Sequence, residues 1–414
     1  MGDYVPRLVD PLLDALFQDL PALGITGPRA TGKTTTAARL VKDVVHLDDE
    51  LVGGLFAANP DAALGQVREP ALLDEWQAQP GVLGAVKRSV DAEPRPGRFI
   101  LTGSAGIDLT TRQWPATGRV VNVPLFGLTV REILSRPGEL FSDRLAAASL
   151  DALRPAHGLT DAPTIVDYIR WATTGGFPDS VLARSDLARL HWLADYVEHL
   201  LQRDVFLLDI QPDTRRLRAY LTALATNTAN VVEAQTLFQA AGISRKTAAA
   251  YDDILQRLYV LDLVPAWWTS RLSRLTQIPK RHVIDPALVP AVLRLDSAGI
   301  LRNARLVGQL LETFVAAQIR SELAASRTRP TLYHLREQAG RHEVDLVLEY
   351  PLGQVAGIEV KAAGTVDESD ARHLLWLRDK LGDDFLGGVV LHTGPGSTTL
   401  SDRVYAAPIS TIWA

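Results

Sequence analysis

Gly27, Pro28, Arg29, Ala30, Thr31, Gly32, Lys33, Thr34 and Thr35 hold two glycines, an ammonium and hydroxyls in the order G-x-x-x-x-G-K-T. Glycines at this spacing let backbone N–H groups wrap a phosphate chain. Lys33 then reaches the outer phosphates, and the Thr34 hydroxyl can ligate Mg²⁺. The chemistry implied is ATP binding with Mg²⁺; the competing reading is a glycine-rich turn ahead of a helix. Hydrolysis needs two more groups, and "PALLDEWQ" offers them. Asp74 is placed to hold Mg²⁺ and Glu75 to polarise the attacking water. A later apolar run, "RFILTGSA", ends in hydroxyls, so Thr102 or Ser104 would sit beside the γ-phosphate.

These groups need elements to position them. "PALGITG" gives a short strand before the loop, and "TTTAARLVKDV" reads as a helix after it, with Leu40 and Val44 four residues apart. Arg119 stands just before a further apolar strand. In ring-forming ATPases an arginine there faces the neighbouring subunit's nucleotide, which would make activity depend on a homo-oligomer. Arg112 competes for that role, and an ordinary surface arginine remains the alternative.

The stretches "GPRATGKTT", "LLDEWQ", "ILTGS", "GR" before "VPLFGLTVRE", "GGFPD", "LQRDV", "GISRKTAAAYDDIL", "GQLLETFV" and "EVDLVLE…GIEVKA" stand in this order. As an ordered set they resemble the predicted AAA+ superfamily ATPases of bacteria and archaea whose C-terminal half has no assigned function. The resemblance covers nearly the whole chain. It implies an α/β protein: a P-loop AAA+ ATPase domain, a helical lid and winged-helix middle, and a C-terminal restriction-endonuclease-like α/β domain. The expected segments are 1–140 for the ATPase, 141–228 for connector and lid, 229–300 for the winged helix-turn-helix and 301–414 for the nuclease-like domain.

Within the middle, Gly175 and Gly176 are read as positions of positive φ and Phe177 as a core plug. Arg203, beside Asp204, is open between a nucleotide contact and a local ion pair. "VVEAQTLFQAAGISRKTAAAYDDILQRL" reads as helix, turn at Gly242, and a second helix capped by Ser244, with Arg245 and Lys246 in its first turn. DNA-binding examples direct such a turn at the bases. "YVLDLVPAWW" and "KRHVIDPAL" could form a wing, and Arg271, Arg274, Lys280 and Arg281 a basic run. Asp252, Asp253 and Asp262 argue instead for a protein-docking module.

Near the C-terminus, Asp345, Glu359 and Lys361 spell D, a gap, then E-x-K. Alternation along "GIEVK" puts Glu359 and Lys361 on one strand face. With Glu312 as a further ligand, these groups could hold Mg²⁺ and position water for phosphodiester cleavage. This looks like the restriction-endonuclease motif, with Val344 where proline often stands. The alternative is an ion pair on a scaffold that no longer cuts.

At 414 residues, 47% hydrophobic and 22% charged, the chain is long enough for several folded domains. No apolar run approaches a membrane span, "MGDYVPRLVD" lacks a secretory pattern, and the expected compartment is the cytoplasm. The absence of cysteine excludes disulfides, thiol catalysis and Cys-based zinc sites. The net charge of -5 gives no global support for nucleic-acid binding, so any such contact must be a local patch. Three functions remain open: an ATPase acting on DNA, an ATP-gated DNA nuclease, and a nucleotide-controlled protein-interaction regulator.

Overall fold

The computed structural model describes residues 4–103, 118–147, 149–154, 162–205, 212–274, 277–337 and 341–414. The chain divides into two compact units. The first takes Met1–Gly127 with Gln256–Tyr259, and the second takes Leu128–Leu255 with Val260–Ala414.

In the first unit five parallel strands form one sheet: β1 Ala22–Thr26, β2 Asp43–His46, β3 Ala71–Asp74, β4 Phe99–Gly103 and β5 Val121–Pro124. Their order is β2-β3-β4-β1-β5, so β4 lies between the strand that leads into the phosphate loop and the strand that ends in Asp74. The three inner strands, "ALGIT", "ALLD" and "FILTG", are buried at every position, as near-continuous apolar runs in a parallel sheet should be. Leu73, Leu101 and Phe99 pack with Val82, Leu83 and Val86 of the helix Gly81–Ala92 into one core. Tyr259, from the segment Gln256–Tyr259, hydrogen-bonds the side chain of Thr26 at the end of β1.

The helix after the phosphate loop is shorter than its composition suggests. It covers Lys33–Ala38, and Val44 lies in β2 instead. The sheet overrides local propensity here: the backbone N–H of Lys42 reaches the Pro70 carbonyl at 2.8 Å, and Asp43 enters register with Ala71.

The second unit carries a six-stranded mixed sheet of β8 Thr331–Arg336, β9 Glu343–Glu349, β10 Val355–Lys361, β11 Phe385–His392, β12 Thr398–Ser401 and β13 Val404–Pro408. Their order is β12-β13-β11-β10-β9-β8. Leu374 and Leu377 of the helix Arg372–Leu381 pack against Val344, Val355 and Phe385. The long helix Ala304–Leu323 gathers the chain from residue 128 onward: Gln318 accepts the N–H of Val130 at 2.8 Å, and Glu322 accepts that of Ser142 at 2.7 Å. Those bonds are why residues 128 to 140, grouped by sequence with the ATPase segment, fold with the second unit.

The helices Ala234–Ala240 and Arg245–Arg257 flank a turn at Gly242, whose φ is +63°, and Ser244 accepts the Thr247 N–H at 3.1 Å. An antiparallel pair follows, β6 Leu261–Val264 and β7 Lys280–Val283. Gly175 has the expected positive φ, +70°, but Gly176 does not. Gly176 serves through its backbone, donating to Asp285 at 2.8 Å and accepting from Leu128 at 2.6 Å. Phe177 is a core residue, packed on Trp192 and Tyr196.

Candidate functional site

The phosphate loop alternates between ordinary and left-handed backbone, with φ +148° at Gly27, +59° at Ala30 and +88° at Gly32. Successive N–H groups then turn into one concavity, a shape that binds anions. Gly27 is required sterically as well, because a Cβ there would meet the Leu125 carbonyl oxygen at 2.1 Å. Thr31 is fully buried and donates to the Pro28 carbonyl at 2.9 Å, and the Arg7 guanidinium donates to the Thr31 carbonyl at 2.8 Å. The loop is thereby held from inside. Arg29 and Ala30 are half-buried and Thr35 is exposed.

Lys33 opens the helix, and its ammonium lies 2.6 Å from the Pro28 carbonyl and 3.1 Å from that of Gly27. Burial holds its pKa down at about 8, opposed by the charges of Glu75 and Asp74. The ammonium therefore sits in a low-dielectric loop whose natural counter-charge is an anion.

Three elements meet at Asp74. Thr34, from the loop helix, donates to Oδ1 at 2.9 Å; Thr102, at the end of β4, donates to the same oxygen; His46, at the end of β2, lies 3.2 Å from Oδ2. A buried carboxylate beside a hydroxyl supplies the hard oxygen donors that suit Mg²⁺. Glu75 follows in a left-handed conformation, φ +51°, which turns its side chain out of the strand's alternation, and Gln77 hydrogen-bonds it. His46 was not singled out by the sequence reading. Its signal is a polar residue closing the apolar "VVH", just past the helical reading that ended at Val44.

Arg119 pairs with Asp91 at 2.6 Å on the surface of its own unit and is not drawn to its own phosphate loop. Its competitor Arg112, and the alternative hydroxyl Ser104, lie outside the described residues. Arg203 is exposed at the end of the helix Asp186–Gln202.

The second unit departs from expectation at its cations. Arg245 and Lys246 are exposed in the first turn of their helix. Three cations of the basic run are engaged internally, Arg274 with Glu349 at 2.7 Å, Arg281 with Asp252 at 3.2 Å, and Lys280, 1% exposed, with Glu312 at 2.7 Å, while the side chain of Arg271 lies outside the described residues. Two of the acids thought to face a docking partner are likewise engaged internally, Asp252 with Arg281 and Asp262 with Arg320. Asp253 is exposed.

Glu312, Asp345, Glu359 and Lys361 do gather in one place. Lys361 lies 3.3 Å from Glu359, as strand alternation requires, and Asp345 accepts the Val360 N–H at 2.9 Å. Lys280 lies 3.4 Å from Asp345. Burial first, then the Asp345 charge, pushes Glu312 up to about 8 and lifts Glu359 as well. Among the described residues no group of three or more acids and histidines is placed to hold a metal ion.

With this geometry in view, residues 19–134 match the AAA domain model. The first unit carries an AAA-type P-loop ATPase domain. Residues 165–299 and 307–412 match two domains of unknown function, DUF8612 and DUF4143. Over 397 residues the chain is 28% identical to an uncharacterized protein of Mycobacterium bovis and to one of Mycobacterium tuberculosis, covering 95% of this chain and 81% of each relative. Among solved structures it resembles the Walker-type ATPase of Pyrococcus abyssi, with 13% identity and a TM-score of 0.44 over 70% of this chain and 96% of that one. That likeness is too distant to set the fold. Among the described residues no helix is long and apolar enough to cross a membrane.

Proposed function

We propose that the chain is a Mg²⁺-dependent ATPase acting on DNA, in which hydrolysis in the first unit controls what the second unit binds. The observation that carries the enzymatic part is the convergence of Thr34 and Thr102 on the Asp74 carboxylate from the loop helix and β4. Gly27 to Thr35 wrap the phosphates with backbone N–H groups. Lys33 leaves its two carbonyl partners for the outer phosphate oxygens. Thr34 and Asp74 would hold Mg²⁺, and a divalent ion there would supply neutralisation of phosphate charge. Glu75 orients the attacking water, and Thr102 fixes the Asp74 carboxylate beside the γ-phosphate. Arg119, in a homo-oligomer, exchanges its Asp91 partner for the nucleotide of a neighbouring subunit.

DNA action rests on Ser244, Arg245 and Lys246, a capped helix start with two exposed cations after a turn. A second reading, a nucleotide-controlled regulator that docks protein, draws support from the internal pairing of Arg274, Lys280 and Arg281, which removes most of the basic run from the surface. Steady-state ATP hydrolysis with Mg²⁺ separates them, with single-stranded, duplex and branched DNA titrated in at low salt. Stimulation by one DNA form, lost in Arg245→Ala/Lys246→Ala, supports DNA action. A rate indifferent to every form moves the function to a protein partner. The absence of any hydrolysis would remove the enzymatic proposal.

A further inference from the structure

The acid cluster of the second unit already contains a cation. The Lys280 ammonium lies 2.7 Å from Glu312 Oε1, 3.4 Å from Asp345 Oδ1 and 3.7 Å from Glu343 Oε1, and it also lies 3.4 Å from the Asp345 backbone oxygen. It is 1% exposed. Glu359, on the adjacent strand, is 2% exposed, and its Oε1 has no hydrogen-bond partner. Three carboxylates face the Lys280 ammonium and Glu359, paired with Lys361 at 3.3 Å, lies on the strand beside Asp345; their charge must be balanced, since uncompensated buried charge is strongly destabilising. In a metal-dependent phosphodiesterase the balance comes from a divalent ion. Here it comes from side chains, Lys280 between Glu312 and Asp345, Lys361 on Glu359 and Arg336 on Glu343, and the residues do not fit a metal while Lys280 is in place.

The origin of the lysine matters as much as its position. Lys280 belongs to β7, the second strand of the antiparallel pair that follows the helix–turn–helix, and strand alternation directs its neighbour Arg281 to the opposite face. Arg281 bonds Asp252 on the helix Arg245–Arg257 at 3.2 Å and the Val232 carbonyl at 3.1 Å, and its backbone oxygen accepts the Ala229 N–H at 2.7 Å. One short strand thus ties the helix–turn–helix on one face to the acid cluster on the other.

We propose that Lys280 is a tethered ammonium that occupies the cation position of a nuclease-like site, so that the wild-type chain takes up no divalent ion there and does not cleave DNA. The site becomes a divalent-cation site only when the ammonium is removed. Glu312, Asp345 and Glu359 are then its oxygen donors.

The test is Mn²⁺ uptake by the full-length, nucleotide-free protein, followed by electron paramagnetic resonance of the free ion. Wild type and Asp345→Asn should behave alike, because the cluster contributes nothing in either. Lys280→Met should gain one Mn²⁺ per chain, at least tenfold tighter than any wild-type uptake, and Lys280→Met/Asp345→Asn should lose it. Lys280→Met leaves buried carboxylates unbalanced, so Lys280→Met/Glu343→Gln, which removes one charge of each sign, is measured in parallel. Folding is checked by circular dichroism and by retained ATP binding. Wild-type uptake abolished by Asp345→Asn would overturn the proposal, and so would folded Lys280 variants that bind no more Mn²⁺ than wild type.

Discussion

At the scale of single residues, Lys33 makes nucleotide binding sensitive to pH in a calculable direction. Its folded pKa is about 8, below the usual lysine value, because the loop buries it. A bound polyphosphate stabilises the charged form, so binding ATP takes up a proton at pH values above about 8. Affinity should be constant below that pH and should weaken by up to tenfold per unit above it, a slope that calorimetry from pH 7 to 9.5 would read. Lys33→Ala should lose the slope together with most of the binding. Glu75→Gln divides the roles differently: ATP binding persists, while turnover falls roughly 10²- to 10⁴-fold, the contribution of a positioned general base. Unchanged turnover would assign the water to another group.

These residues were legible before any fold was known because their chemistry fixes their spacing. A loop that wraps phosphate must put glycine, lysine and hydroxyl within a few residues of one another. Lys280 was not legible in that way. Its partners Glu312 and Asp345 lie 32 and 65 residues on, and nothing in "PKRHVID" tells a solvated lysine from one buried at 1% exposure. Read as surface charge, it counted toward DNA binding; in the fold it belongs to the acids.

At the scale of elements, the parallel sheet was readable from its apolar runs, whereas the length of the loop helix was not. "TTTAARLVKDV" carries a helical spacing in Leu40 and Val44, and only pairing with β3 puts Asp43 and Val44 into strand. The Gly-Gly-Phe-Pro turn was half legible: Gly175 needs its positive φ, and Gly176 is held by its backbone bonds. Gly175→Ala should be among the costlier single substitutions in the second unit. The new Cβ would meet Asp285 Oδ1 at 2.3 Å and the Ala287 Cβ at 2.6 Å, in a backbone conformation alanine resists. A loss of about 2 kcal/mol or more is expected, read as a lowered urea midpoint with an unchanged slope. Gly176→Ala, free of the φ penalty, should cost less.

At the scale of the whole molecule, the role proposed for Arg119, paired here with Asp91, would make activity depend on a second copy of the chain. If Arg119 serves a neighbouring subunit, Arg119→Ala and Glu75→Gln proteins, each inactive alone, should regain part of the ATPase rate when mixed, because some interfaces then combine an intact arginine with an intact glutamate. Failure of every mixing ratio would return Arg119 to an ordinary surface role. Asp91→Ala should leave the rate within a few-fold of wild type, since its exposed ion pair contributes little to stability.

The hydrogen bond between Tyr259 and Thr26 has a temporal side. Gln256–Tyr259 counts with the first unit although the chain builds most of the second unit's helices before reaching it. On a ribosome adding roughly 5–20 residues each second, the end of β1 waits on the order of ten to fifty seconds for that hydroxyl. The nucleotide-binding unit is therefore the first to begin folding but cannot finish until residue 259 is made, and a nascent chain released before that point would carry the end of β1 without its Tyr259 partner.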